Sequence, residues 1–298
     1  MSKRCIHIIS SRSKCLPKCI ESMHKNYNKF HNYPIFIHYF DDIYDSQGYR
    51  DTVNELGGGN VEFINIPYST PNHINEADLY YNRKDIKYVR DGFSINRKGY
   101  LHMCHFMSNF YGYPETKFEE FDMAMSVDDE STFTKEMDYD PFEIMKNREE
   151  HIGALICGQR LKNGSPHQGH RDTRVGLWEF TKNFLIENNI KPKNEILKEA
   201  LNSKNGEEKM HYFPWADSYI IKLEIFESEI WKKWSKAFND YGGIYKYRWG
   251  DNEINSLFAL MIEENGIYNL KTVEDGYHNQ GGSRHIQDVA PSIKNTEI

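Results

Sequence analysis

Residues 121–133, FDMAMSVDDESTF, run from a short apolar stretch directly into three adjacent carboxylates, Asp128, Asp129 and Glu130. An apolar run of strand length that ends on acid reads as a strand whose carboxyl end carries the charge. In an open α/β sheet, ligands bind in the crevice outside those strand ends, and hard carboxylate oxygens there select Mg2+ or Mn2+. Such an ion can bridge to a diphosphate and stabilise it as a leaving group. Taken alone, the triplet reads more readily as a solvated acidic turn, so its neighbours have to decide.

Upstream, short apolar runs alternate with helical stretches: CIHIIS (5–10), CLPKCIESMHKNYNKF (15–30), PIFIHYF (34–40), DTVNELGGGN (51–60) and VEFINIP (61–67). That alternation predicts βαβ units, a largely parallel sheet and the front half of a nucleotide-binding α/β domain. Residues 68–99 are polar and weakly periodic and read as a surface excursion, and a helix is expected from about Tyr100. Downstream, DPFEIMKNREEH (140–151) reads as a helix capped by Asp140 with Pro141 in its first turn. IGALIC (152–157) reads as a strand, residues 160–176 as a loop and LWEFTKNFLIENNI (177–190) as a helix. In residues 218–243, Ile220, Leu223, Ile230, Trp231, Trp234 and Phe238 fall largely at helical spacing, stopped by Gly242 and Gly243. No internal repeat interrupts the chain, which is expected to form one domain over 1–298.

With 298 residues and 39% hydrophobic content the chain can bury a sizeable core. The net charge of −7 argues against broad binding to nucleic acid or to an anionic membrane face. The amino-terminal apolar run is too brief for a signal-peptide core or a membrane span, so a soluble, cytosol-like protein is expected. The 5 cysteines are odd in number and lack paired spacing, which predicts reduced thiols rather than a disulfide framework or zinc site.

Further candidates lie in the second half. In YRWGDNEIN (247–255) a glycine allows a tight turn and Asp251 is placed to cap the next helix. In EDGYHN (274–279) His278 sits in a glycine-containing loop, and in HYFPWADSYI (211–220) aromatic residues bracket Asp217, with Trp215 able to stack on a sugar or to fill the core.

In order along the chain, YLHMCHF (100–106), VDDE (127–130), YDPFEIM (139–145), HYFPWADSY (211–219), GGIYKYRWGD (242–251) and DGYHN (275–279) resemble six blocks of one family. These are the fungal Kre2/Mnt1-type α-1,2-mannosyltransferases of glycosyltransferase family 15, and the resemblance runs from the first strand to about His278. It implies a GT-A fold: a Rossmann-like, mixed but mostly parallel central sheet flanked by helices. It further implies a nucleotide-sugar-binding half over 1–135, an acceptor-binding half over 136–298, and retaining transfer of mannose from GDP-mannose to a glycan with Mn2+ or Mg2+.

On the family pattern Asp128 matches the metal-binding glutamate and His278 the second metal ligand, with Asp129 or Glu130 able to share or take over the ion. Tyr100 matches a tyrosine near the reacting sugar, Asp251 a residue at the acceptor or its proton, and Arg12 an arginine close to the nucleotide. Three positions depart from the pattern. Asp129 replaces a proline, His105 replaces the arginine of MCRF at a phosphate or sugar contact, and Tyr219 stands where the family has a candidate nucleophilic glutamate. The resemblance therefore leaves two routes: Asp217 as substitute nucleophile, or front-side attack in which the leaving diphosphate takes the proton. A different nucleotide-sugar donor and an inactive glycan- or nucleotide-binding relative are the alternatives, and the Asn-, Lys- and Ile-rich composition suggests a soluble relative from a large virus or a protist.

Overall fold

Buried β-branched and aromatic runs, too short for helices, build the central sheet. The computed structural model describes residues 3–40, 44–83, 98–109, 112–158, 173–210, 213, 215–270 and 277–278. Its strands are Arg4–Ile9 (β1), Ile35–Tyr39 (β2), Val61–Asn65 (β3), Met123–Ser126 (β4), Thr132–Phe133 (β5), Ile152–Gly158 (β6), Trp215–Lys222 (β7), Ile267–Asn269 (β8) and Tyr277–His278 (β9). Its α-helices are Leu16–Asn26 (α1), Gln47–Leu56 (α2), Lys98–Asn109 (α3), Pro141–Lys146 (α4), Leu177–Glu187 (α5), Glu195–Leu201 (α6), Gly206–Lys209 (α7), Glu229–Tyr241 (α8), Gly243–Tyr247 (α9) and Asp251–Ile262 (α10).

Seven strands form one sheet in the order β3-β2-β1-β4-β7-β6-β8. All neighbouring pairs are parallel except the two that involve β7. The chain moves outward from β1 to β3 and then returns to place β4 on the other side of β1. That reversal is a topological switch point, and it opens a crevice at the carboxyl ends of β1 and β4.

Side-chain alternation gives the sheet two apolar faces. Ile6, Ile8, Ile35, Ile37, Met123 and Met125 pack with α1 on one side. Cys5, Phe36 and Ala124 point into the opposite core, built largely from α3, α8 and α10. Two imidazoles are sealed inside that second core: His7 and His38 lie 5.7 Å apart, and each packs against the Phe118 ring.

The βαβ reading of the front half holds, and the sheet is mixed and mostly parallel, as a GT-A fold requires. The helical reading of 218–243 is corrected at its start. Residues 218–222 belong to β7, and the helix begins at Glu229 behind a Ser228 cap that accepts from the Trp231 amide at 3.2 Å. Between β4 and β6, residues 218–221 are all buried, so burial on both faces leaves no period-two alternation to separate this stretch from a buried helix. The helix from Asp140 is present with its cap, although it closes at Lys146. Residues 84–97, 159–172 and 271–276, which include part of the expected excursion over 68–99 and most of the expected loop over 160–176, lie outside the described residues.

Candidate active site

The sheet delivers the acidic cluster to the switch-point crevice. Beyond β4 the Val127 amide still donates to the His7 carbonyl at 3.1 Å, so the chain stays beside β1 until Asp128. The Ser131 amide then turns back onto the Asp128 carbonyl at 3.0 Å.

Asp129 points into the protein and is 1% exposed. One of its oxygens accepts from Ser10 Oγ at 2.6 Å, and Ser10 Oγ is itself 2.6 Å from the Tyr44 hydroxyl. The other accepts from Arg12 Nε at 2.7 Å and from Arg12 Nη2, while Arg12 Nη1 reaches Glu130. Two of the three carboxylates therefore clamp one guanidinium. Asp128 is half-buried and adds its charge to the field that the cluster exerts on Arg12.

The far end of the chain returns to this turn. β9 pairs antiparallel with β5, setting the His278 backbone opposite Thr132 and Tyr277 opposite Phe133. Tyr277 is buried with its hydroxyl 2.9 Å from Ser131 Oγ. The His278 side chain lies outside the described set, and among the described residues no three His, Cys, Asp or Glu side chains form a metal-holding group.

A second carboxylate approaches from α10. Asp251 is the first residue of that helix, with Gly250 as its N-cap, so the expected capping role for Asp251 gives way to one in the first turn, where its charge meets the positive end of the helix. Burial pushes its carboxyl up to about 7, Glu253 and Asp128 add to the rise, and a hydrogen bond from Cys104 opposes it. Tyr100, one turn before Cys104 on α3, lies under the Arg248 guanidinium, 4.8 Å from its ring centre. The neighbouring Cys104 and burial keep the Tyr100 phenol protonated.

Tyr219 on β7 is paired across the ladder with Ser126 and Ala154, and is 2% exposed. Burial, with the charges of Asp251 and Asp128, pushes its phenol far up. Asp128, Tyr219, Asp251 and Tyr277 thus share one electrostatic neighbourhood at the sheet edge. For Asp217 the backbone, within β7, is described and the side chain is not. His105 keeps other company: its Nδ1 is 2.8 Å from the Tyr113 hydroxyl and its ring packs on Tyr245.

The family model described as glycolipid 2-alpha-mannosyltransferase matches residues 3–287. The chain belongs to that family. An O-glycoside alpha-1,2-mannosyltransferase of Schizosaccharomyces pombe is 24% identical over 286 residues, covering 94% of this chain and 69% of its own length. A probable mannosyltransferase of Candida albicans is 26% identical over 241 residues, 80% of this chain and 59% of its own. Among solved structures, the mannosyltransferase Ktr4p of S. cerevisiae superposes with a TM-score of 0.72 at 22% identity, over 93% of this chain and 70% of that one. Core-mannan synthase A of Aspergillus fumigatus, in a Mn/GDP form, gives 0.71 at 18% identity over 91% and 73%. The fold is GT-A.

Several motif residues of this glycosyltransferase turn out to be structural. Asp140 of YDPF caps α4 through the Phe142 amide at 3.0 Å and also receives Arg4 Nη1 at 2.6 Å, Tyr33 at 2.6 Å and Tyr27 at 3.0 Å. Gly243 lets the Trp249 ring lie where a Cβ would sit 2.2 Å away, and Trp249 Nε1 then donates to the Val175 carbonyl at 2.7 Å. Gly250 leaves room for Glu253, whose carboxylate accepts from Thr173 Oγ1 at 2.8 Å. Sequence reasoning missed Ser10, Tyr44, Cys104, Arg248 and Tyr277. Arg248, Cys104 and Tyr277 lay inside the RWGD, YLHMCHF and DGYHN blocks, whereas Ser10 and Tyr44 stood outside every block.

Proposed function

We propose that the protein transfers an α-mannosyl group from GDP-mannose to a hydroxyl of a glycan acceptor, with retention, and that Asp128 and His278 hold a Mn2+ ion. The observation that carries the reading is the division of labour in the acidic cluster. Asp129 and Glu130 pair directly with Arg12, Asp128 stands half-buried next to them just beyond β4, and β9 returns the His278 backbone to the same turn, opposite Thr132. One carboxylate and one imidazole suit Mn2+ when two phosphate oxygens and water complete the shell. When bound, the ion neutralises charge building on the departing diphosphate.

The chain's own groups supply the rest. The Asp129–Glu130 clamp fixes Arg12, nearly half exposed, at the mouth of the crevice, where its remaining surface can meet the nucleotide. Tyr100, held against Arg248, lines the sugar site. Asp251, with a carboxyl near 7, exchanges a hydrogen bond with the acceptor hydroxyl in either protonation state.

Tyr219 keeps its proton and so is a poor nucleophile. This favours front-side attack: the acceptor oxygen bonds to the anomeric carbon on the face the diphosphate leaves, and the hydroxyl proton departs with the diphosphate. Asp217 is the competing nucleophile.

The test is transfer from GDP-mannose to methyl α-mannoside with Mn2+, read by product anomeric configuration, alongside thermal unfolding with GDP and UDP. An α-linked product and Mn2+-dependent stabilisation by GDP are expected. No transfer and no shift with GDP would overturn the reading, and a shift with UDP alone would reassign the donor.

A further inference from the structure

The first turn of α10 carries two carboxylates, Asp251 and Glu253, and they keep different company. Asp251 stands among groups of the active site. Cys104 of α3 hydrogen-bonds to it, and Tyr100 of the same helix, Tyr219 of β7 and Asp128 beyond β4 share its field. Glu253 folds back over the N-cap instead. A Cβ on Gly250 would sit 2.1 Å from its Oε2, while its Oε1 accepts from Thr173 Oγ1 at 2.8 Å and pairs with Arg174 Nε at 3.3 Å.

This arrangement is a lock on the start of the helix. Gly250 has a φ of −80°, which any residue adopts, so the glycine is required by the space that Glu253 fills and not by the backbone. The Glu253 and Arg174 side chains are each 7% exposed, and a buried pair of this kind holds its geometry because breaking it leaves charge away from water. Arg174 Nη1 also donates to the Met210 carbonyl at 2.9 Å, and the Gly250 amide to the Thr173 carbonyl at 3.3 Å. Three segments remote in sequence are thus joined through one carboxylate and one guanidinium. The first intrahelical bond runs from the Ile254 amide to the Gly250 carbonyl at 3.2 Å, so the amides of residues 251–253 have no intrahelical carbonyl to meet. A helix start of this kind frays unless side chains pin it. Only Asn252 separates the pinned carboxylate from Asp251. Glu253 also places negative charge beside Asp251, which favours the protonated form of that carboxyl.

We propose that Glu253 is a positioning residue for the transfer reaction: locked by Thr173 and Arg174, it holds the Asp251 carboxyl in place against the acceptor hydroxyl. This role depends on the reading of Asp251 as the acceptor contact, and one arm of the test requires no catalysis.

Glu253→Gln, Thr173→Val and Thr173→Ser are compared with the unaltered chain, each shown to be folded by urea unfolding before it is assayed. Thr173→Val keeps the shape and removes the donor, so it carries the test if Glu253→Gln does not fold. With GDP-mannose, methyl α-mannoside and Mn2+, Glu253→Gln and Thr173→Val should lower kcat by about fivefold or more at an unchanged KM for GDP-mannose. Thr173→Ser, which keeps the hydroxyl, should hold kcat to within about twofold. In the Asp251→Asn background neither substitution should lower kcat further, because Glu253 acts through Asp251. The arm without catalysis follows the Asp251 carboxyl by carbon NMR, assigned through its loss in Asp251→Asn. Its titration midpoint should fall by about half a pH unit or more in Glu253→Gln. Unchanged kcat and an unchanged midpoint in folded variants overturn the role, as do kcat losses that persist in full in the Asp251→Asn background. A lowered midpoint in a chain that transfers mannose to no acceptor upholds the coupling of Glu253 to Asp251 and refutes the reaction instead.

Discussion

Replacing Asp128 and Asp129 separately by asparagine should have opposite consequences, although the residues are adjacent. Asp129 is 1% exposed and accepts three hydrogen bonds, two of them from a guanidinium. Asp129→Asn would keep the shape, lose the charge and leave Arg12 held by Glu130 alone. Breaking a buried ion pair by removing one partner costs about 3–5 kcal/mol, but the Arg12 side chain is 47% exposed and regains water, which lowers the expectation to about 2–3 kcal/mol. For a chain of this size that is a fall of roughly 3–5 °C in Tm. Asp128→Asn removes a half-buried carboxylate that adds to the field on Arg12, so its stability should change by less than about 1 kcal/mol. Its Mn2+ binding in the presence of GDP, measured by electron paramagnetic resonance, should fall by a factor of about 10 or more. Urea unfolding and Mn2+ titration of both variants make the comparison. If Asp129→Asn abolishes Mn2+ binding at unchanged stability while Asp128→Asn still binds, the division of labour in the cluster is wrong.

Tyr219→Phe should lower kcat by less than about tenfold, since a buried phenol is not the nucleophile; a loss of about 10³-fold or more would restore it to that role. The pH dependence of kcat/KM should show an inflection near 7 from the partly buried Asp251 carboxyl, absent in Asp251→Asn, and an identical inflection in the variant would assign it elsewhere. Burial pushes His7 down to about 3 and His38 well below its ordinary value, so the unfolded chain takes up protons below about pH 6.5 while the folded chain does not. Stability is therefore complete above that pH and is lost as pH falls toward the folded values, by roughly 3 kcal/mol per imidazole near pH 4.5. Urea unfolding of His38→Leu should show a shallower acid loss than the unaltered chain, and equal slopes would refute the assignment. Gly243→Ala places a Cβ 2.2 Å from the Trp249 ring and should cost about 1–3 kcal/mol, read by thermal unfolding.

The front half of the fold was legible because local signals there agree. Runs such as Ile35–Tyr39 are short, β-branched and separated by amphipathic helices, and no rival element fits them. The start of the 218–243 segment was misread because β7 lies between two strands with both faces covered, which erases the period-two pattern that marks a strand. Its identity depends on neighbours remote in sequence, β4 and β6, that a window along the chain does not contain.

The same distinction separates the site residues. The acidic triplet announces itself in sequence, but three adjacent carboxylates look alike until Arg12, 117 positions from Asp129, takes two of them. A strand reverses its side-chain direction at every residue, so neighbours in a tight turn beyond it can face opposite environments. Here that sends Asp129 inward to Ser10 and Arg12 and leaves Asp128 half-buried beside it. The departure from the family's proline at position 129 then has a physical reading: a carboxylate there does what proline cannot, anchoring Arg12, just beyond the first strand, to the turn that carries Asp128. If that anchor evolved with the substitution, Asp129 and Arg12 are coupled, and the double variant Arg12→Gln with Asp129→Asn should be less destabilised than the sum of the singles by about 1 kcal/mol or more.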